Sequence, residues 1–162
     1  MNKVEILGQL KTKFDEKILS VDDTADIPTV VVLSASIKEI IAYLKEEQNY
    51  IFLTDICGVH IPEQELELGV VYHIHNLVDN HRIRLKAFVA KANPQLDSIV
   101  SLYSAANWME RETFDFYGIN FVGHPNQIRI LNVEYMDYFP MRKEYPLEDA
   151  TRTDKDDSYF GR

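Results

Sequence analysis

The sequence predicts an α/β fold of the α+β kind: a mixed sheet holding a β-α-β unit and a hairpin, flanking helices, and an extended C-terminal arm. Three observations carry that expectation. A helix-period stripe, Ile37, Ile40, Ile41 and Leu44, stands between two apolar runs rich in β-branched residues, which is the order of a β-α-β passage. Two alternating stretches, Leu68–Leu77 and Arg82–Ala90, flank the short connection Val78–His81 and so form a hairpin. After Phe121 sustained periodicity ends while aromatic residues stay frequent, so the chain there has too little pattern to build a core of its own. The expected division is a compact unit over 1–122 and an arm over 123–162 that orders against a partner.

Each element has a local reason. Val4, Leu7, Leu10 and Phe14 recur at helical spacing over Lys3–Phe14, with Asn2 placed to cap the start. Lys17–Val21 suits a short strand, Asp22–Asp26 an acidic turn, and Pro28–Leu33 a second strand. Ser36 with Glu39 has the form of a capping box, which predicts a helix over Ser36–Gln48 with Asn49 at its exit. Tyr50–Asp55 returns as a strand. In the hairpin, Ile83, Leu85, Ala87 and Val89 alternate with Arg82, Arg84, Lys86 and Phe88, so one face is expected to be buried and one wet. Asn93-Pro94 reads as a helix start, predicting a helix from about Gln95 to Ser104. Asn107, three residues before Glu110, predicts a second start, and Gly118 its left-handed end. Ile128–Val133 is a short strand candidate, and the charged stretch Glu148–Asp157 is expected to be mobile in the isolated chain.

Bulk properties exclude several classes of function. The chain has 162 residues, enough for one domain with a core and short for two. Its net charge of −9 opposes nucleic-acid binding and direct docking on anionic lipid. No apolar stretch is long enough to span a bilayer, and Met1–Lys11 lacks the pattern of a secretory leader. Cys57 is the only cysteine, which leaves no internal disulfide and no thiolate set for zinc or an iron–sulfur cluster, and suits a reducing cytoplasm.

Three groups of residues invite chemistry. Glu110, Arg111, Glu112 and Asp115 fall within six residues, and on a helix Arg111 and Asp115 can pair at i, i+4. Carboxylates so close could serve as acid and base in a hydrolase, but no second carboxylate comes from a distant element, so a salt-bridge network is the expectation. Gly123-His124-Pro125 is a stiff corner that presents an imidazole, as a structural turn or as a ligand. His73 and His75 share a strand face that His60 or His81 could join to hold zinc, although Arg82, Arg84 and Lys86 on the paired strand would repel a cation. No catalytic, cofactor-binding or metal-binding residue is expected from these groups.

The run N-W-M-E-R-E-T-F-D-F-Y-G-I-N-F-V-G-H-P, followed by I-R-I-L and P-M-R-K-E-Y-P-L, resembles the signature of the 30-kDa subunit of respiratory complex I. In bacteria that family is also known as the C subunit of NADH–quinone oxidoreductase. Its marked positions fall on Glu110, Arg111, Glu112, Asp115, Gly118, Phe121, Gly123, His124, Pro125, Arg129, Pro140, Arg142, Lys143, Tyr145 and Pro146. The chain departs from the pattern where Ile128 precedes a single Arg129, around Asp137-Tyr138-Phe139, and at Glu144, where aspartate is usual.

The resemblance implies a non-catalytic scaffold subunit of the hydrophilic arm of a proton-translocating NADH–quinone oxidoreductase. It would pack on the 49-kDa (D) subunit, with the B subunit and other hydrophilic-arm subunits nearby. It would sit peripherally on the cytoplasmic side of the cell membrane. The complex would use FMN, iron–sulfur clusters, NADH and a quinone, with no cofactor in this chain. An equivalent subunit of a ferredoxin- or F420H2-dependent oxidoreductase, or of a membrane-bound hydrogenase, fits the same signature. A free-standing carboxylate hydrolase and an unrelated binding module are the other readings.

Overall fold

A computed structural model describes residues 3–146. Helix α1 spans Lys3–Phe14 and helix α2 spans Ile37–Gln48. The main sheet consists of β1 (Ile18–Asp22), β2 (Thr29–Val32), β3 (Phe52–His60), β4 (Leu68–Asn76) and β5 (His81–Val89), in the spatial order β1-β2-β5-β4-β3. Strand β2 runs parallel to β5, and the other neighbours are antiparallel. The β-α-β unit predicted around α2 is therefore present but split. Strands β2 and β3 point the same way, and the β4–β5 hairpin lies between them. A second sheet pairs β6 (Gln95–Asp97) in parallel with β7 (Asn120–Val122), and α3 (Ala106–Tyr117) connects the two.

One face of the main sheet makes the core. Val30, Val32, Tyr72, Ile74, Ile83, Leu85 and Ala87 are almost fully buried with Leu10 of α1 and Ile37, Ile40, Ile41 and Leu44 of α2. Strand β5 alternates buried and part-exposed positions, as the sequence predicts. Strand β4 does not: Val71 and His75, on its second face, are buried too. It is a central strand whose neighbours' side chains fold over it; the Phe88 ring covers Gly69 so closely that a Cβ there would lie 2.6 Å from it. Strand β3 runs to His60, five residues beyond the predicted end, because it pairs with β4 along its length. Helix α3 lies against β3, where the Tyr117 ring occupies the space that any side chain at Gly58 would need.

Several predicted details are corrected. Residues 95–104 are not a helix. Gln95–Asp97 is strand β6, the Pro94 carbonyl accepts the Asn120 amide, and turns follow. Leu96, Ile99 and Tyr103 are all buried, and the extended start of the segment is what joins the small sheet. The Ser36 hydroxyl caps nothing; a 3₁₀ turn over Ser34–Ser36 leads into α2, and Glu39 pairs with Lys17 at 2.5 Å. Asn107 does not cap α3, which starts at Ala106 behind Ala105. No strand forms at 128–133. Asn49 and Gly118 do end α2 and α3 in left-handed conformation, at φ 59° and 72°. The Asn2 cap and the stretch Glu148–Asp157 lie outside the described residues.

Candidate functional site

The C-terminal end of α3 positions the site. A helix leaves its last four carbonyls without intrahelical donors. Here the following chain satisfies all four. The Phe114 carbonyl accepts the Gly118 amide, and the Asp115 carbonyl accepts Arg129 Nη1 at 2.9 Å. The Phe116 carbonyl accepts the Met141 amide, and the Tyr117 carbonyl accepts Arg142 Nε at 2.7 Å. Two of these donors are guanidinium groups, and positive charge is favoured at this end of the helix dipole.

Asp115 is the centre of the arrangement. Its side chain is completely buried, its Oδ1 accepts Arg129 Nη1 at 2.7 Å, and its Oδ2 accepts the amides of Ile130, Leu131 and Asn132 at 3.0, 2.7 and 2.8 Å. Burial alone would raise its pKa, but the hydrogen bonds from Asn132, Arg129, Leu131 and Ile130 override it and hold the carboxyl well below the usual range. This explains the missing strand: the amides of 130–132 donate to one carboxylate instead of a ladder. Arg129 uses its other terminal nitrogen on the carbonyls of Met136 and Tyr138, at 2.8 and 2.9 Å. The guanidinium carbons of Arg129 and Arg142 lie 5.0 and 4.7 Å from the Phe139 ring centre. Gly118 is required beneath that ring, since a Cβ would meet it at 2.5 Å in addition to the left-handed backbone.

The predicted residues therefore fall into two sets. Asp115, Gly118, Arg129 and Arg142 converge on one clamp. Arg111 joins it differently from the i, i+4 expectation: it does not pair with Asp115, but donates to the Ile128 and Arg129 carbonyls at 3.1 Å and lies over Trp108. Arg142 is half-buried and turned into the chain, where its Nε donates to the Tyr117 carbonyl. Glu110 points elsewhere. It is completely buried, accepts the Ser98 hydroxyl and Ile99 amide at 2.7 Å, and is pushed up to about 7 by burial. Glu112 is exposed. Glu110 and Asp115 are both closed to solvent and occupied by their own hydrogen bonds, and of the three carboxylates only Glu112 faces solvent.

The histidine–proline corner is a turn with a defined tautomer. His124 Nδ1 accepts the Asn126 amide at 3.0 Å, so Nε2 carries the proton and donates to the Asn107 carbonyl at 3.1 Å. Gly123 supports it at φ 83°, and Pro125 is exposed. Phe121 is buried in β7. Pro140 is half-buried, the Tyr145 ring meets Tyr138 at 5.0 Å with the two planes tilted by 46°, and Pro146 and Lys143 are exposed. His73, His75 and His60 hold other partners: Arg84, Asn80 and Glu67. Among the described residues no group of three or more His, Cys, Asp and Glu side chains is placed to hold a metal ion.

Other anchors escaped the sequence reading. His60 Nδ1 accepts the Lys143 amide at 2.9 Å across 83 positions, and Lys91 pairs with Glu144 at 2.6 Å. Gln127 bridges the Phe121 amide and the Ile119 carbonyl. Nothing local in sequence marks His60 or Gln127. Phe139 could have been found as the aromatic lying between two arginines. Away from these anchors the arm turns apolar side chains outward, with Tyr135 87% and Leu131 64% exposed.

Fold and site together define a small α+β fold in which α3 is completed by the side-chain-pinned segment 123–146 that follows it. Comparison with known proteins places it. The profile of the family "Respiratory-chain NADH dehydrogenase, 30 Kd subunit" matches residues 30–151, and the chain belongs to that family. The C subunit of the NADH-quinone oxidoreductase of Citrifermentans bemidjiense is 36% identical over 144 residues, covering 89% of each chain. Among solved structures, the trypsin-resistant fragment (1–134) of Nqo5 superposes with a TM-score of 0.69 at 27% identity, covering 78% of this chain and 99% of the fragment. A chain of the membrane-bound sulfane sulfur reductase, an archaeal respiratory membrane complex, shares the fold with a TM-score of 0.75 at 23% identity, covering 89% of this chain and 85% of that one. No described helix is long and apolar enough to cross a membrane.

Proposed function

We propose that this chain is a non-catalytic scaffold subunit of a proton-translocating NADH–quinone oxidoreductase, seated on the 49-kDa (D) subunit through the arm that follows Val122. The B subunit and other hydrophilic-arm subunits complete its surroundings on the cytoplasmic side of the membrane. The flavin, iron–sulfur clusters, NADH and quinone belong to those partners. One observation carries the reading. The arm is fixed from within by Asp115, Arg129 and Arg142, yet it exposes Ile128, Leu131, Val133 and Tyr135. Apolar side chains held outward on a pre-ordered segment suit a protein surface, because little further conformational entropy is lost on docking.

A tagged chain, purified from gently solubilised membranes, should bring down the 49-kDa-type subunit together with iron–sulfur and flavin subunits. Recovery of the chain alone would overturn the reading. The second reading, an equivalent subunit in a machine with another electron donor or acceptor, is supported by the fold shared with the sulfane sulfur reductase complex. The same experiment separates the two, because it identifies the donor-side subunits. The scaffold role also predicts that a deletion strain lacks assembled complex; normal complex abundance with lost turnover would contradict it.

A further inference from the structure

The sheet face turned away from the core carries a row of cations in an otherwise acidic protein. Arg82, Arg84 and Lys86 occupy alternate positions of β5, opposite in direction to the buried Ile83, Leu85 and Ala87. At strand spacing the row extends about 13 Å. Among the described residues none of the three has a carboxylate within 4.0 Å, whereas Lys13, Lys17, Lys91 and Arg129 do. Arg84 is held in place: its Nε donates to His73 Nε2 at 2.7 Å and its Nη1 lies 3.4 Å from Thr29 Oγ1. Asp55 Oδ2 lies 3.6 Å from the other His73 ring nitrogen, which carries the proton in this arrangement. An imidazole thus fixes a guanidinium whose remaining donors are not used by any carboxylate among the described residues. The same face has half-exposed apolar ground in Phe52 and exposed Cys57.

We propose that this face is a second docking surface, separate from the arm, which takes a short acidic segment of a neighbouring subunit across Arg82, Arg84 and Lys86. A pre-oriented guanidinium between two further cations matches carboxylates spaced about 6 Å apart, the i, i+4 rise of a helix. The row is short, Asp55 lies on the same face, and the whole chain carries a net charge of −9, so a long polyanion such as nucleic acid is disfavoured. Such a contact would set register and association rate through charge complementarity.

Cys57 makes the surface testable. It is the only cysteine of the chain, and its partner Val71 pairs onward with Lys86, so Cys57 and Lys86 share one cross-strand row about 10 Å apart. The Cys57 thiol is labelled with a maleimide in the isolated full chain and in the purified assembly, and the labelled peptide is quantified by mass spectrometry. The expected result is labelling at least tenfold slower in the assembly. In Arg82→Glu/Lys86→Glu that protection should be lost while other subunits still co-purify. A benzophenone-maleimide on Cys57 should cross-link to a peptide rich in Asp and Glu. Equal labelling in an intact assembly, protection that survives the double variant, or a cross-link to a neutral or basic peptide or to lipid would each overturn the proposal. Arg82→Gln, an exposed change, replaces the double variant if the latter does not fold. Absence of any co-purifying subunit would sink the scaffold reading as well, so the two failures are distinct.

Discussion

Replacing Asp115 by alanine removes the group around which the arm folds. The carboxylate accepts one guanidinium N–H and the three amides of residues 130–132. Leu131 is exposed, so water replaces the lost acceptor there at little cost. The Ile130 and Asn132 amides are half-buried, and Arg129 keeps its other carbonyl acceptors. Counting about 1 kcal/mol for each half-buried amide and about 1.5 kcal/mol for the charged bond gives a loss of about 3 to 4 kcal/mol. Most of it should fall on the arm, since the main core lies between α1, α2 and the five-stranded sheet. Trypsin reports this directly, because Arg129, Arg142 and Lys143 are cleavage sites within the arm. If cleavage follows local opening, about 3 kcal/mol accelerates it on the order of a hundredfold. Limited proteolysis followed by intact-mass spectrometry should show rapid cutting after Arg129 in Asp115→Ala, with residues 3–122 still resistant. Glu112→Ala, at an exposed position of the same helix, should cut like the wild type. Cleavage of Asp115→Ala within twofold of wild type would refute the clamp.

Other outcomes follow from the same geometry. Glu110 has a folded-state pKa of about 7, above its unfolded value near 4.5. The folded state therefore holds the proton more tightly, and stability present at low pH is lost as pH rises from about 4.5 through 7, by about 3 kcal/mol in all. Glu110→Gln should remove most of that slope, which urea midpoints at pH 5 and pH 8 would reveal; an unchanged slope would mean that another group is responsible. Asp115 acts in the opposite sense: its stabilisation is present above the unfolded carboxylate range and fades as pH falls below it. Gly118→Ala should lower the melting temperature at least twice as far as Gly123→Ala. Both have positive φ, but only at Gly118 would the new Cβ meet Phe139 and Arg142. Arg129→Lys keeps the charge but cannot reach Asp115, Met136 and Tyr138 together, so it should speed arm cleavage nearly as much as Asp115→Ala.

Much of the fold was legible because periodicity and capping act locally. The stripe of α2 and the alternation of β5 are statements about which side chains share a face, and burial confirms both. The Gln95–Ser104 prediction failed because Asn93-Pro94 serves a strand edge as readily as a helix start. What decided between them was a carbonyl pairing with Asn120, 26 positions away, which no local pattern encodes. The site shows the same division. The density of charge at 110–115 marked α3 as unusual, but it left open that Glu110 and Asp115 would be buried on different partners. Asp115 pairs with Arg129 rather than Arg111 because three amides of the returning chain bring Arg129 to it. His60 and Gln127 could not have been read at all, since their roles exist only once the arm crosses β3 and β7.

The most direct test of the scaffold assignment is a photo-cross-link from the arm. p-Benzoylphenylalanine in place of Tyr135, whose side chain is 87% exposed, is irradiated in intact membranes and the adduct is identified by mass spectrometry. A product with the 49-kDa-type subunit is expected, lost together with assembled complex in Asp115→Ala. A cross-link to no other subunit, or one that survives unchanged in Asp115→Ala, would contradict it.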